Sequence, residues 1–186
     1  GGTTEIAVLS LGGVVIARSV RVAGDAMNEH IVQYARDHFG LLIGIRTAEE
    51  VKIKIGSAYP LTESLAVQLR GRDLVSGLPK EITVTDAQIR EALQPVIKVI
   101  INNIKATIEE IPPEIISDIM HRGIVMAGGG AILRGLSELV HDETQMPVSI
   151  ADDPLTCVAR GAGIVVEDLE SLRDVLLPTD FSRIPR

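Results

Sequence analysis

The sequence has 186 residues with no tryptophan, two tyrosines and two phenylalanines. That scarcity excludes the aromatic platforms on which single-stranded nucleic acids and many sugars stack, and it requires an aliphatic core. The single cysteine, Cys157, cannot close an internal disulfide, and no leader-like segment or bilayer-length apolar run is visible. A soluble protein in a reducing, cytoplasmic setting is expected. A basic excess is missing as well: 18 Lys+Arg stand against 25 Asp+Glu, a net charge of −7. The charges are scattered, which excludes nonspecific binding to nucleic acid. What the chain does have is aliphatic material. Hydrophobic residues make up 46% of it, mostly Ile, Val and Leu, enough for a packed core and too much for a disordered chain.

The chain opens on Gly1-Gly2-Thr3-Thr4 and passes at once into an apolar run. Residues 4–11 and 14–22 read as strands joined by a tight turn at Gly12-Gly13. Gly24-Asp25 starts an amphipathic helix reaching Phe39, with Met27, Ile31, Tyr34 and Ala35 on one face. A second helix is expected from Ala48 to Ala58, with Thr47 and Glu50 as its capping box and Val51, Ile55 and Ala58 as its stripe. The period then changes to two, with strands at 66–69 and 82–84 among the turn residues Gly71, Gly77 and Pro79.

Thr85 and Gln88 form another capping box, ahead of apolar side chains at Ile89, Ala92, Leu93, Val96, Ile97, Ile100, Ile104, Ile108 and Ile111. Pro95 inside that run predicts a kink or two helices meeting there. A short helix over 114–121 leads to a buried strand, Ile124-Val125-Met126-Ala127, then Gly128-Gly129-Gly130 and a helix beginning at Ala131. Val148-Ser149-Ile150 reads as a last strand. Pro154 is expected in the first turn of a helix reaching Leu172, capped by Asp152-Asp153, with Cys157 as a small core residue. His30, His38, His121 and His141 have no metal-ligand spacing and read as surface or capping residues.

Three glycines between a strand and a helix remove side chains where a flat or charged ligand can approach the main chain, and the helix start offers free amides. A tight turn with a glycine cap explains the same residues without a ligand. Gly1-Gly2-Thr3-Thr4 has the composition of a turn that wraps phosphate through backbone N–H groups and hydroxyls. Neither turn matches the Walker or dinucleotide fingerprints. Two glycine turns so far apart in sequence suit a nucleotide held in a two-lobed cleft.

The ordered series Gly1-Gly2-Thr3-Thr4-Glu5, Val22-Ala23-Gly24-Asp25, Thr47-Ala48-Glu49-Glu50-Val51-Lys52, Arg70-Gly71-Arg72-Asp73-Leu74, Pro112-Pro113-Glu114, Gly128-Gly129-Gly130-Ala131 and Asp153-Pro154-Leu155-Thr156-Cys157 resembles the second half of the MreB family, over roughly residues 1–170. These are the bacterial actin homologues that govern rod shape. The resemblance implies an α/β domain of the actin, Hsp70 and sugar-kinase (ribonuclease H-like) superfamily with an inserted small α+β subdomain. Residues 1–23 and 88–171 would form the core subdomain (IIA-like), 24–87 the inserted one (IIB-like), and 172–186 a flexible tail.

By the same resemblance the cofactors are ATP and Mg²⁺, bound fully only with the first domain. Gly1, Gly2, Thr3 and Thr4 would hold phosphate. Glu49, Glu50, Val51 and Lys52 would face the adenosine, and Gly128, Gly129, Gly130 and Ala131 would line the adenine and ribose. No catalytic or metal-ligating residue is assigned. The family hydrolyses ATP as it polymerises; this chain, matching only the second half, is expected to be inactive alone because in-line phosphoryl transfer needs metal, water and phosphate positioned together. Implied partners are further filament subunits and membrane-associated cell-wall elongation proteins. Neither nucleic acid nor direct membrane contact from this half is implied. The implied place is the cytoplasm, at the inner face of the membrane through the filament. The alternatives are an Hsp70-type or sugar-kinase nucleotide-binding lobe, or an inactive fragment.

Overall fold

The computed structural model describes residues 1–168. Its first element is an antiparallel hairpin of β1 (Thr4–Ser10) and β2 (Gly13–Val20). Gly13 already pairs with Ser10, so the turn is Leu11-Gly12 and not Gly12-Gly13. Both turn residues take positive φ, 52° and 80°, the conformation whose twist matches the flanking strands.

Helix α1 (Gly24–Phe39) buries Met27, Ile31 and Ala35 at the expected spacing. After the two-residue strand β3 (Leu41–Leu42) comes α2 (Ile45–Ile55), which starts three residues earlier than the expected Ala48. Gly44, extended at φ −88° and ψ 161°, is the N-cap, its carbonyl accepting from the Ala48 N–H at 3.1 Å. The Thr47–Glu50 box therefore does not form, because Thr47 already lies inside the first turn. Ala48, Val51 and Ile55 are the stripe that α2 buries.

Strands β4 (Ala66–Asp73) and β5 (Pro79–Thr85) pair antiparallel, with β3 on the other side of β4. Thr85 then caps α3 (Asp86–Glu109) through the expected reciprocal box with Gln88. Ile89, Ala92, Leu93, Val96, Ile97, Ile100 and Ile101 are buried along α3, whereas Ile104 and Ile108 are half-buried. Pro95 does not divide the run: it sits exposed within one helix, so only its own missing N–H is lost from the ladder. The main aliphatic core joins α1, β3, α2, β4, β5 and α3 with Leu136 and Val140 further along the chain, and Leu93 is fully buried in it.

Helix α4 (Pro113–Arg122) precedes β6 (Ile124–Met126), which pairs parallel with β7 (Val148–Ile150). β6 is not the buried strand expected. Val125 is exposed and its neighbours half-buried, because β6 has only β7 beside it among the described residues. The glycines enter a single 3₁₀ turn, Gly129–Ile132, and the following helix α5 (Leu136–Thr144) starts later than Ala131. Pro154 precedes α6 (Cys157–Glu167) in a turn. Asp153 shapes that turn, its carbonyl taking the Thr156 N–H at 3.1 Å, and no carboxylate caps the helix. Cys157 is half-buried rather than in the core, its Sγ 3.4 Å from the Asp153 carbonyl oxygen. Leu172 and the expected tail 172–186 lie outside the described residues. Among the described residues no helix is long and apolar enough to cross a membrane.

Candidate functional site

The opening residues lie against the start of α1. Gly1 to Thr3 are exposed, and the Gly1 carbonyl accepts from the Asp25 N–H at 3.2 Å. A side chain on Gly1 would come within 2.9 Å of Asp25 Oδ1. Thr4 Oγ1 donates to the Val22 carbonyl at 2.8 Å, joining the beginning of β1 to the segment between β2 and α1. The Gly1 carbonyl thus sits at the positive end of the α1 dipole and takes one of its free amides.

Helix α2 reaches the same place. Lys52 Nζ donates to the Gly24 carbonyl at 2.9 Å. Burial pushes the Lys52 amine below its ordinary value, and the carboxylates of Glu49 and Asp25 act in the opposite direction. Glu49 is exposed beside it. Glu50 pairs along α2 with Arg46 at 3.4 Å, both side chains exposed. The side chain of Val51 is buried in the core, where it holds α2 from behind.

At the triple glycine, Gly128 takes φ +83°, a conformation that favours glycine, and its N–H donates to the Pro154 carbonyl at 2.7 Å. A side chain on Gly128 or Gly130 would meet nothing within 4 Å. One face of this turn is therefore bare backbone, with Ala131 buried behind it and Ile132 exposed beside it. Just beyond, Arg134 Nη1 donates to the Ile53 carbonyl of α2 at 2.9 Å, and the Arg134 carbonyl accepts from Ala58 N–H at 2.7 Å.

The structure thus gathers Gly1, Lys52 and Glu49 around the start of α1, and ties the triple-glycine turn to the same helix that carries Lys52. Asp25, Ile132 and Arg134 were missed as neighbours of the site. Gly24-Asp25 stood out only as a helix start, and nothing in periodicity marks Arg134, whose partner is 81 residues away. Among the described residues no cluster of three or more His, Cys, Asp or Glu side chains could hold a metal ion. Of the histidines, His30, His38 and His121 are exposed, and His141 Nδ1 lies 2.7 Å from the Met146 carbonyl oxygen. A shallow concavity of about 250 Å³ lies elsewhere, between α1 and α3, lined in part by His30, Tyr34, Glu91 and Pro95.

The model of the MreB/Mbl protein family matches residues 1–174. The chain belongs to the MreB/Mbl family. The cell shape-determining protein MreB of Escherichia coli (strain K12) is 49% identical over 170 residues, covering 91% of this chain and 49% of that protein. MreB5 of Spiroplasma citri, solved bound to ADP, superposes with a TM-score of 0.87 at 39% identity, over 91% of this chain and 51% of that one. The MamK double helical filament gives a TM-score of 0.74 at 25% identity, over 89% of this chain and 51% of that one. The chain thus spans about half the length of the MreB/Mbl relatives it matches, and its fold is that of the actin-like filament proteins.

Proposed function

We propose that this chain is the nucleotide-binding second half of an actin-like protein that assembles into filaments and maintains rod cell shape by organising cell-wall synthesis. One observation carries the reading: consecutive residues of α2 hold the two glycine segments, Lys52 through Gly24 beside Gly1, and Ile53 through Arg134 beyond Gly130. Exposed, side-chain-free backbone at both places, with a half-buried ammonium group between carboxylates, suits a ligand that is flat at one end and anionic at the other.

The residues fit an adenine nucleotide, and the relative from Spiroplasma citri was solved with ADP and with AMPPNP. Gly1, Gly2, Thr3 and Thr4 hold the phosphates. Glu49 and Lys52 face the adenosine, with Glu50 and the buried Val51 fixing the helix that presents them. Gly128, Gly129, Gly130 and Ala131 line the adenine and ribose. ATP supplies a hydrolysable phosphoanhydride, and Mg²⁺ arrives on its phosphates. Residues 1–23 and 88–171 act as the core subdomain and 24–87 as the inserted one. Filament subunits meet head to tail, each using one face against a different face of its neighbour. The working place is the cytoplasm, at the inner face of the membrane beside cell-wall elongation proteins.

Isotope-labelled chain titrated with millimolar MgATP tests the site. The amide resonances of Gly2 to Thr4, Glu49 to Lys52 and Gly128 to Ala131 are expected to shift together along one binding curve. Shifts confined to other residues, or none at all, would overturn the assignment.

A further inference from the structure

We infer that Arg134 is a positioning residue of the proposed nucleotide site, capping α2 from a distance and so fixing that helix against the triple-glycine turn. The inference rests on the nucleotide reading for its functional consequence, although the mechanical link stands on its own geometry. The last carbonyls of a helix have no partner within it. In α2 the Lys52 carbonyl is taken locally, by the Gly56 N–H at 2.8 Å. The Ile53 carbonyl is taken by the Arg134 guanidinium at 2.9 Å, a cation placed at the negative end of the helix.

The main chain reinforces the contact. Ser57 and Arg134 form a parallel bridge, and the Ala58 N–H donates to the Arg134 carbonyl at 2.7 Å. Gly135, at φ +72°, passes so close that an added side chain would lie 2.5 Å from Tyr59 Cβ. Behind the bridge, the fully buried Ser57 accepts from Arg90 at 3.2 Å, which itself pairs with Asp86. The segment after α2 is thereby held from the α3 side as well. Arg134 adjoins the 3₁₀ turn Gly129–Ile132, whose Gly130 carbonyl accepts from the Leu133 N–H at 3.1 Å. Movement of α2 and movement of the bare glycine face are therefore coupled through one side chain and the short bridge beneath it.

Amide hydrogen exchange on the whole chain, comparing wild type with R134A, R134K and the control R46A, tests the inference. R46A also removes a cation from α2, but one whose partner, Glu50, lies on the same helix. In R134A the amides of the last turn of α2 and of Gly129 to Ile132 are expected to exchange about tenfold faster, while β4 and β5 keep their protection. R134K, which retains a cationic N–H donor, restores both segments, and R46A leaves both unchanged. The same variants titrated with MgATP are expected to order as wild type, R134K, then R134A in affinity, with R134A weaker by about tenfold. Faster exchange spread evenly over the chain, or acceleration in only one of the two segments, would overturn the inference. Correct exchange coupling with no ATP binding by wild type would instead remove the nucleotide reading and leave the link intact. ATP binding unaltered by R134A would remove the positioning role.

Discussion

Asp86 Oδ2 lies 3.0 Å from Arg90 Nη1, one turn along α3, with Asp86 only 4% exposed. Its other oxygen accepts from the Leu65 N–H at 3.0 Å and from Ser64 Oγ at 3.1 Å. Burial pushes this carboxyl up, but the bonds from Leu65, Arg90 and Ser64 outweigh it and hold the group below its ordinary value. One side chain thus closes the loop before β4 onto the start of α3.

Removing that carboxylate leaves Arg90 without its ionic partner and the Leu65 amide without an acceptor. Asp86→Ala is expected to cost about 3–5 kcal/mol, read as a lower urea midpoint. The sign of the pH effect follows from a depressed folded value. The contribution is complete above the unfolded carboxylate value of about 4 and is lost as pH falls through the lower folded one. The stability gap between wild type and Asp86→Ala should therefore be largest near neutrality and shrink in acid. A gap that stays constant down to acid unfolding would exclude this account.

Gly128 and Gly135 both take positive φ, yet alanine should affect them unequally. At Gly128 there is open space, so only backbone strain is added, but φ 83° with ψ 176° is a region essentially reserved to glycine, and that strain alone is about 1–3 kcal/mol. At Gly135 the new side chain would also meet Tyr59 Cβ at 2.5 Å and Tyr59 N at 2.9 Å, and both belong to the bridge beside Arg134. Gly135→Ala should therefore destabilise the fold more than Gly128→Ala in parallel urea titrations. Equal losses would show that the segment around Tyr59 yields freely.

The helices and their buried stripes were legible because burial repeats a local spacing: Met27, Ile31 and Ala35 in α1, and Ile89 to Ile100 in α3. The Thr85–Gln88 box was legible because both partners are close in sequence. The same pattern at Thr47 and Glu50 misled, since Gly44 already supplied an extended residue where a helix can begin. The exposure of Val125 depends on what lies beside β6, which no local spacing encodes. At the candidate site, glycine runs marked where backbone is bare. The links that hold them, Lys52 to Gly24 and Arg134 to Ile53, join residues far apart in the chain and leave no periodic trace.

The two tyrosines offer a pH test free of tryptophan absorbance. Burial, then the 2.7 Å hydrogen bond to Glu91 and its charge, push Tyr34 up to about 12. A hydrogen bond to Asp142 and that carboxylate's charge push Tyr59 up as well. Tyrosinate absorbance of the folded chain should therefore rise only above the ordinary value of about 10. In Tyr34→Phe the highest-pH component should disappear. Half of the amplitude developing at the ordinary value would contradict one of the two assignments, and all of it would contradict both.

Leu11 is fully exposed at the tip of the first hairpin, with φ 52°, a conformation that crowds its Cβ against the following carbonyl. Asparagine accepts that conformation more readily, and Asn-Gly is a favoured pair for such a turn. Among the described residues nothing covers the leucine, so no packing there is lost in the exchange. Leu11→Asn should therefore raise stability by about 1 kcal/mol, seen as a higher urea midpoint with an unchanged slope. A loss of stability would mean that the leucine side chain makes a contact that offsets its strain. A gain would leave the residue's presence unexplained by folding, since a better turn former would serve the isolated hairpin.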